Sequence, residues 1–205
     1  MMRQKPLIVL VPLLCTLAFL ASCAGRSYLI VDYTLPPSDQ VLQGQTVKMV
    51  IKDLRSDRKI FSPAAAQEFK GFKNLYSLAW KRAGGQRVIV GEMNLETLFR
   101  KVFTKRLERM GVLVATNEQS RAPVFEIALK KFSVDLSGRK WIADVTYIAS
   151  LSEDSHLIAR EKVTGSAERL RIIGRKGADT VLSEIFTDII NKVDIVKLFQ
   201  QAKLI

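Results

Sequence analysis

Few side chains in this sequence of 205 residues have a type and spacing that would support catalysis. The strongest candidates are two carboxylates, Asp53 and Asp57, which lie four positions apart in the run DLRSDR. A general acid needs a raised pKa, whereas Arg55 and Arg58 lie beside these carboxylates and would keep both ionised. We therefore expect a salt-bridged turn at this point rather than a catalytic pair.

Histidine, cysteine and metal chemistry are also poorly represented. The single histidine, His156, falls in a predicted hairpin loop, and both cysteines lie within the first 23 residues. Zinc ligation by cysteine and histidine is therefore excluded for the rest of the chain, and no known catalytic or metal motif is present. Three further acidic residues, Glu126, Asp144 and Glu161, lie on predicted strands. We interpret them as solvated residues on a sheet face rather than as the paired carboxylates of a glycosidase cleft. We expect a protein that is not an enzyme and needs no metal or cofactor.

The first 23 residues have the three-part layout of a secretory signal. Arg3 and Lys5 form a short basic region, an apolar run follows over 7–20, and small residues lead to Cys23. The apolar run is too short to cross a bilayer, which takes about 20 residues. Its ending, Leu-Ala-Ser-Cys, resembles the lipobox of bacterial lipoproteins, in which the cysteine is acylated and becomes the first mature residue. The alternative is an ordinary signal peptide that is cut after a small residue.

The resemblance to lipoprotein signals carries an expectation about location. It implies removal of residues 1–22, acylation of Cys23 and firm membrane attachment, since several acyl chains anchor a protein stably. Ala24 differs from the aspartate that retains many such lipoproteins in the inner membrane. The resemblance therefore favours the outer membrane, facing the periplasm. Residues 23–45 would form the lipidated tether and an N-terminal strand, and residues 46–205 have the length of a single domain.

The sequence is strongly basic, with 32 Lys and Arg against 20 Asp and Glu, a formal net charge of +12 and a pI near 9.9. Loss of Arg3 and Lys5 with the signal would leave about +10. This balance favours anionic partners such as lipid headgroups, lipopolysaccharide phosphates or acidic protein faces. An envelope location argues against nucleic acid. The alternative is that the charge serves only solubility.

Alternation of apolar and polar residues predicts a sheet. The predicted strands are 28–33, 46–54, 86–90, 112–115, 123–136, 140–151 and 157–167. The last three have the pattern of an antiparallel meander with one wet face. The apolar residues fall at odd positions before Lys130 and at even positions after Lys131, and this change predicts a β-bulge. Leu157, Ala159 and Val163 are expected to point inward from the last strand.

Two long amphipathic helices are predicted to cover the apolar face of this sheet. The first spans 94–110, with Asn94 as its N-cap. The second spans 179–192, with Asp179 as its N-cap, and a short helix follows Asp194. The expected fold is therefore α+β, with one antiparallel sheet and two main helices packed on one face.

The segment 59–93 is the least regular part and is predicted to be an insertion in the domain. Ser62 and Pro63 have the pattern of a helix start. Aromatic residues then recur at helical spacing among lysines and arginines: Phe69, Phe72, Tyr76 and Trp80. One alternative is a helix whose aromatic side chains pack on the sheet. The other is an aromatic and basic surface that touches a membrane or a partner.

A basic row on the first long helix is a further candidate surface. Lys101, Lys105 and Arg109 fall four positions apart, on the side opposite the apolar face. The row is either a solvated face, favoured by the helix dipole, or a docking stripe for an anionic partner.

The whole layout resembles the YajG-type family of bacterial lipoproteins. The resemblance rests on the lipobox, the strand ending TVKMVIKDLRSDR, the helix NLETLFRKVFTKRLERMGVLV, the meander and the closing ADTVLSEIFTDIINKVDIVKLFQQ. It covers nearly the whole chain, although the segment 59–93 is longer than expected. It implies a two-layer sandwich like the N-terminal domain of TolB. It implies no activity, because the family has none established.

Three functions are compatible with these features. The first is a non-catalytic accessory or assembly factor of an envelope complex, which binds a protein partner through an exposed sheet edge or the segment 59–93. The second is a carrier or binding module for an anionic lipid, lipopolysaccharide or glycan, which requires a pocket between helices and sheet. The third is a hydrolase, which requires clustered carboxylates or His156 in a cleft.

Overall fold

The computed structural model describes residues 27–81, 87–117, 121–171 and 176–205. The predicted signal sequence and the candidate lipidation site Cys23 lie outside the described residues. The described part contains eight strands in two sheets, together with four helices. The α+β class predicted from the sequence is confirmed.

Strands of the small sheet and strands of the large sheet alternate along the first half of the chain. The strands are β1 (Tyr28–Tyr33), β2 (Thr46–Asp53), β3 (Leu75–Lys81), β4 (Arg87–Met93), β5 (Leu113–Ala115), β6 (Val124–Ser137), β7 (Lys140–Glu153) and β8 (His156–Leu170). The helices are α1 (Pro63–Glu68), α2 (Leu95–Arg109), α3 (Lys176–Lys192) and α4 (Ile195–Gln201). The small sheet has the order β1-β3-β4, and the large sheet has the order β5-β2-β6-β7-β8.

The large sheet contains the predicted meander. Strands β6, β7 and β8 pair in antiparallel fashion, and the pairing of β6 shifts between Leu129 and Lys131, which confirms the predicted bulge. The sheet is nevertheless mixed, because β2 pairs in parallel with both β5 and β6. The inward direction expected for Leu157 is wrong. A register shift places it opposite Ser152, on the outward side, where it is 56% exposed.

The described residues of the segment 59–93 include β3 and β4, two of the three strands of the small sheet, which differs from the predicted irregular insertion. Helix α1 ends at Glu68, and Gly71 and Asn74 then adopt positive φ values of 85° and 55°. Tyr76 and Trp80 therefore lie on β3 instead of a continuing helix. A spacing of four residues fits one face of a strand as well as one face of a helix, which is why the helical prediction was wrong.

Helix α2 matches its prediction closely. Asn94 is the N-cap and accepts a hydrogen bond from the Thr97 N–H at 2.8 Å. Gly111 follows the helix with a φ of 89°, the left-handed conformation that glycine tolerates at a helix end. The buried face of α2 includes Phe99, whose ring lies 5.1 Å from Phe186 and 6.0 Å from Phe132. Aromatic rings thus fill the space between α2, α3 and the large sheet.

Helix α3 begins earlier than predicted, at Lys176, so Asp179 is not its N-cap. The Asp179 carboxylate instead accepts a hydrogen bond from the Ile30 N–H of β1 at 3.2 Å. Ser183, one turn further, accepts from the Asp32 N–H at 2.9 Å. Residues four apart in a helix are separated by about 6.0 Å along its axis, and residues two apart in a strand by about 6.7 Å. Because these spacings are similar, side chains on one face of α3 can bind alternate N–H groups of β1. The helix therefore covers the outer edge of β1.

The C-terminal end of α3 is held by a buried arginine from α2. Arg106 is 7% exposed, and its guanidinium donates to the carbonyl oxygens of Ile190 and Val193, the latter at 2.7 Å. Burial lowers the pKa of Arg106. The Tyr147 hydroxyl donates to the Ile189 carbonyl at 2.6 Å. These donors satisfy carbonyl groups that a helix end otherwise leaves without partners.

Replacement of Arg106 tests this account of the helix end. We expect Arg106→Met to lower the free energy of unfolding by about 3 kcal/mol, because buried carbonyls of α3 lose their donors. Urea unfolding followed by circular dichroism measures the change. Lys101→Met is the matched control, since it removes an exposed positive charge from the same helix. Equal stability of the two variants would contradict the account.

Candidate functional site

The two sheets have four outer edges in the described part of the chain, and three of them are protected. The edge of β1 is covered by α3, and β5 is only three residues long. The edge strand β8 carries charged residues along its length, including Arg160, Lys162 and Glu168. Proteins commonly use a covering helix, a short strand or charged side chains to prevent unwanted pairing at an edge.

The edge of β4 has no covering helix in the described part of the chain, and its charges and its bulge lie at the ends of the strand, at Arg87 and at Gly91–Glu92. Its sequence is RVIVGEM, so no charge and no proline lies between Arg87 and Glu92. Ile89 is 56% exposed, and Val88 and Val90 are half-buried. A β-branched, uncharged edge strand of this kind is a template for pairing with another strand. We regard the edge of β4 as the candidate binding site.

Neighbouring strands hold β4 in position. Trp80 lies opposite Val88, and its ring packs edge-on against Tyr33 of β1 with the centroids 5.8 Å apart. Arg87 reaches past β3, and its Nε lies 2.7 Å from an Asp32 carboxylate oxygen. This ion pair is largely exposed and contributes little stability, but it orients the first residue of β4.

The predicted aromatic and basic surface is not a surface. Phe69 and Tyr76 are buried, and Phe72 and Trp80 are half-buried against the core. The Phe69 ring lies 5.7 Å from Trp141, and the Phe72 ring lies 5.9 Å from Tyr76. The alternative in which these side chains pack on the sheet is therefore confirmed, although α1 supplies only the first turn and a half of the predicted helix.

The basic row on α2 is only partly exposed. Lys101 and Lys105 are exposed, whereas Arg109 is half-buried. Lys105 pairs with Glu108 at 3.0 Å, which offsets its charge. The docking role of this row stays a prediction.

Asp53 and Asp57, the carboxylates considered first for catalysis, each accept hydrogen bonds from neighbouring residues of the turn. The Asp53 carboxylate accepts two hydrogen bonds of 2.8 Å from the Arg55 guanidinium, and the two side chains are 9% and 6% exposed. These hydrogen bonds lower the pKa of Asp53. Asp57 accepts from the main-chain N–H of Lys59 at 2.8 Å. The predicted salt-bridged turn is confirmed. His156 is exposed and contacts the carbonyl oxygen of Asp154.

Two surface cavities flank β2. One of about 570 Å³ lies between β2, β5 and α2, where Lys48, Arg100 and Glu108 are among the lining residues. Arg100 already donates to the Met49 carbonyl at 2.7 Å. The other, of about 240 Å³, adjoins the Asp53–Arg55 pair. Within the described ranges, no three His, Cys, Asp or Glu residues are grouped as metal ligands, and no helix is long and apolar enough to span a bilayer.

Comparison with known proteins identifies a shared fold. No family model and no curated protein sequence matches this chain. A solved structure from Xanthomonas campestris, of a protein in the family DUF330, is similar with a TM-score of 0.56 at 16% identity, over 88% of this chain and 100% of that one. This similarity shows the fold alone.

Two other solved structures are more distant. A hypothetical protein from Chlamydia trachomatis has a TM-score of 0.42 at 10% identity, over 78% of this chain and 99% of that one. A minor lipoprotein from Acinetobacter baumannii has a TM-score of 0.37 at 11% identity, over 51% of this chain and 84% of that one. Neither similarity is close enough to carry an argument. Membership of the YajG-type family and likeness to TolB stay predictions.

The pH dependence of stability tests the Asp53–Arg55 pair. Because folding lowers the pKa of Asp53, the ionised carboxylate stabilises the folded state. This contribution is complete above the ordinary pKa of about 3.9 and is lost as the pH falls through the lowered pKa. We expect Asp53→Asn to lower the free energy of unfolding by about 1–2 kcal/mol at about pH 7 and by much less at about pH 2. Urea unfolding at both pH values measures this. Asp57→Asn, an exposed control, should change little, and an equal effect would contradict the assignment.

Proposed function

We propose that this protein is a lipid-anchored, non-catalytic accessory factor of the bacterial envelope that binds an extended segment of a partner protein at the edge of β4. The anchor would be Cys23 in the outer membrane, with the domain in the periplasm. The lipobox-like end of the signal sequence supports the anchor. The exposed, uncharged centre of the β4 edge supports the binding mode.

The contrast between edges is the observation that carries this proposal. Selection against aggregation usually removes an exposed, apolar edge strand unless the edge has a use. In this fold α3 covers the edge of β1, whose N–H groups donate hydrogen bonds to side chains of the helix. Strand β8 carries charged residues. The β4 edge keeps the sequence Val-Ile-Val-Gly with Ile89 exposed. Addition of a partner strand would cover it.

The chemistry of β4 defines what the partner segment must be. In strand addition, main-chain hydrogen bonds supply affinity and alternate side chains supply specificity. On one face the added strand would meet the exposed Ile89; on the other it would meet half-buried Val88 and Val90. We therefore expect an extended segment with apolar residues at alternate positions and no proline at its centre.

A carrier for an anionic lipid or glycan is the second candidate. Its supporting observation is the cavity of about 570 Å³ whose lining includes Lys48 and Arg100. It ranks second because Glu108 also lines this cavity, and because Arg100 is already engaged by the Met49 carbonyl. The interior between the two long helices and the large sheet is filled by the rings around Phe99.

Crosslinking from two matched positions tests the binding edge. Ile89 and Leu157 are both 56% exposed on strands at a sheet edge, one in each sheet. A photoreactive residue at position 89 should capture one recurring envelope protein in cells, and the same residue at position 157 should not. Mass spectrometry should map the captured site to an extended segment. Ile89→Lys should abolish recovery of that partner without changing the circular dichroism spectrum, whereas Leu157→Lys should leave it intact.

Three results of this experiment would contradict the proposed partner. Equal capture from both positions would show that contact is not specific to β4. Capture of lipid or lipopolysaccharide alone would favour the carrier. Capture of a second copy of this chain alone would make the edge a self-association site.

Retention on the membrane tests the anchor separately. We expect Cys23→Ser to release the protein from outer-membrane fractions, because the acyl chains supply most of the attachment. The wild-type protein should stay bound through a high-salt wash, which removes proteins held by charge alone. Ser22→Ala is a suitable control, since it keeps the cysteine. Retention of Cys23→Ser after the wash would show that lipidation is not what holds the protein.

A further inference from the structure

We infer that the end of the domain at which the chain enters is a membrane-facing rim that binds anionic phospholipid headgroups. The entry rim comprises the segments 68–73, 137–140 and 168–171. This inference rests on the proposed lipid anchor and adds an orientation to it. The far end of the domain is marked by the turn between β7 and β8.

Chain length places the entry rim close to the anchor. Ser27 lies only four positions after Cys23, so the two are at most about 14 Å apart. The carbonyl oxygen of Ser27 accepts a hydrogen bond from the Lys73 N–H at 3.0 Å. An acyl chain on Cys23 would therefore hold this part of the rim beside the membrane surface.

Hydrogen bonds and ion pairs join the three segments into one surface. Arg171 binds Glu68 through an ion pair of 2.7 Å, and its main-chain N–H donates to the Arg139 carbonyl at 2.7 Å. Lys140 pairs with Glu168 at 2.7 Å. The hairpin turn between β6 and β7 and the end of β8 thus lie together with the residues that follow α1.

The composition of the entry rim fits an anionic membrane surface. The rim contains six basic residues and two acidic ones, and Arg169 is further paired with Glu184 of α3. The basic residues are Lys70, Lys73, Arg139, Lys140, Arg169 and Arg171. Leu170 lies among them and is 67% exposed. Lysine and arginine side chains attract lipid phosphates, and an exposed leucine can enter the interfacial layer beside them.

The turn at the other end of β7 is acidic. Strand β7 runs from the entry rim to the turn at Asp154 and Ser155, where Glu153 and Asp154 are both acidic and exposed. Fourteen residues of strand span about 46 Å at 3.3 Å per residue. The difference in charge between the entry rim and this turn fits an orientation in which the rim faces an anionic surface.

Two cysteine reporters at the ends of β7 test this orientation. Ser137→Cys lies in the rim and Ser155→Cys in the distant turn; both serines are exposed. Acylation of Cys23 leaves each introduced cysteine as the single thiol of the mature chain. Each purified acylated variant is labelled with a fluorophore and reconstituted in vesicles of phosphatidylethanolamine and phosphatidylglycerol that carry a headgroup quencher. We expect loss of fluorescence at position 137 and none at position 155.

Charge reversal separates headgroup binding from the effect of the tether alone. Lys70→Glu with Arg139→Glu should reduce quenching at position 137, as should vesicles of phosphatidylcholine alone. Lys162→Glu with Lys197→Glu, two exposed positions away from the rim, should have no effect. Equal quenching at both positions would overturn the inference. Quenching at position 137 that depends neither on the charge of the lipid nor on the charge of the rim would also overturn it. A mass spectrum without acyl chains would instead show that the proposed anchor is wrong.

Discussion

Polar side chains on one face of α3 accept hydrogen bonds from main-chain groups that would otherwise have no partner. The packing of the two sheets depends on these contacts. Asp179 and Ser183 accept hydrogen bonds from β1, and the end of the same helix accepts them from Arg106 of α2 and from Tyr147 of β7. Helix α3 therefore touches the small sheet, the large sheet and the other long helix at once. Because buried main-chain groups are costly when unpaired, any displacement of α3 would expose several of them together.

This arrangement also decides which surfaces remain for binding. By covering β1, helix α3 makes β4 the apolar edge that is still open in the described small sheet. Strand β1 begins at the entry rim and runs parallel to β3, so the antiparallel β4 ends near that rim, with Met93 opposite Tyr76. In the proposed orientation, a segment that pairs with β4 would extend from the membrane-facing end of the domain into the periplasm.

Local sequence signals predict much of this fold, but they do not contain its long-range pairings. Asn94 as an N-cap, the alternation in β7 and the bulge after Leu129 depend on neighbouring residues alone, and all three were predicted. Asp179 has the chemistry of an N-cap, yet its acceptor role is toward a strand about 150 residues away, which no local pattern specifies. For the candidate site, a strand over 86–90 was predicted, but its place at an open edge depends on the parallel pairing of β1 with β3.

The central claim is that a partner strand pairs with the edge of β4. Amide hydrogen exchange, measured by mass spectrometry on the wild-type protein in native outer-membrane preparations and again after purification to a single component, tests it directly. We expect residues 87–93 to exchange slowly in the membrane preparation and rapidly in the purified protein, while β8 exchanges equally in both. Equal exchange of residues 87–93 in the two samples, or new protection confined to the cavity beside Lys48 and Arg100, would contradict it.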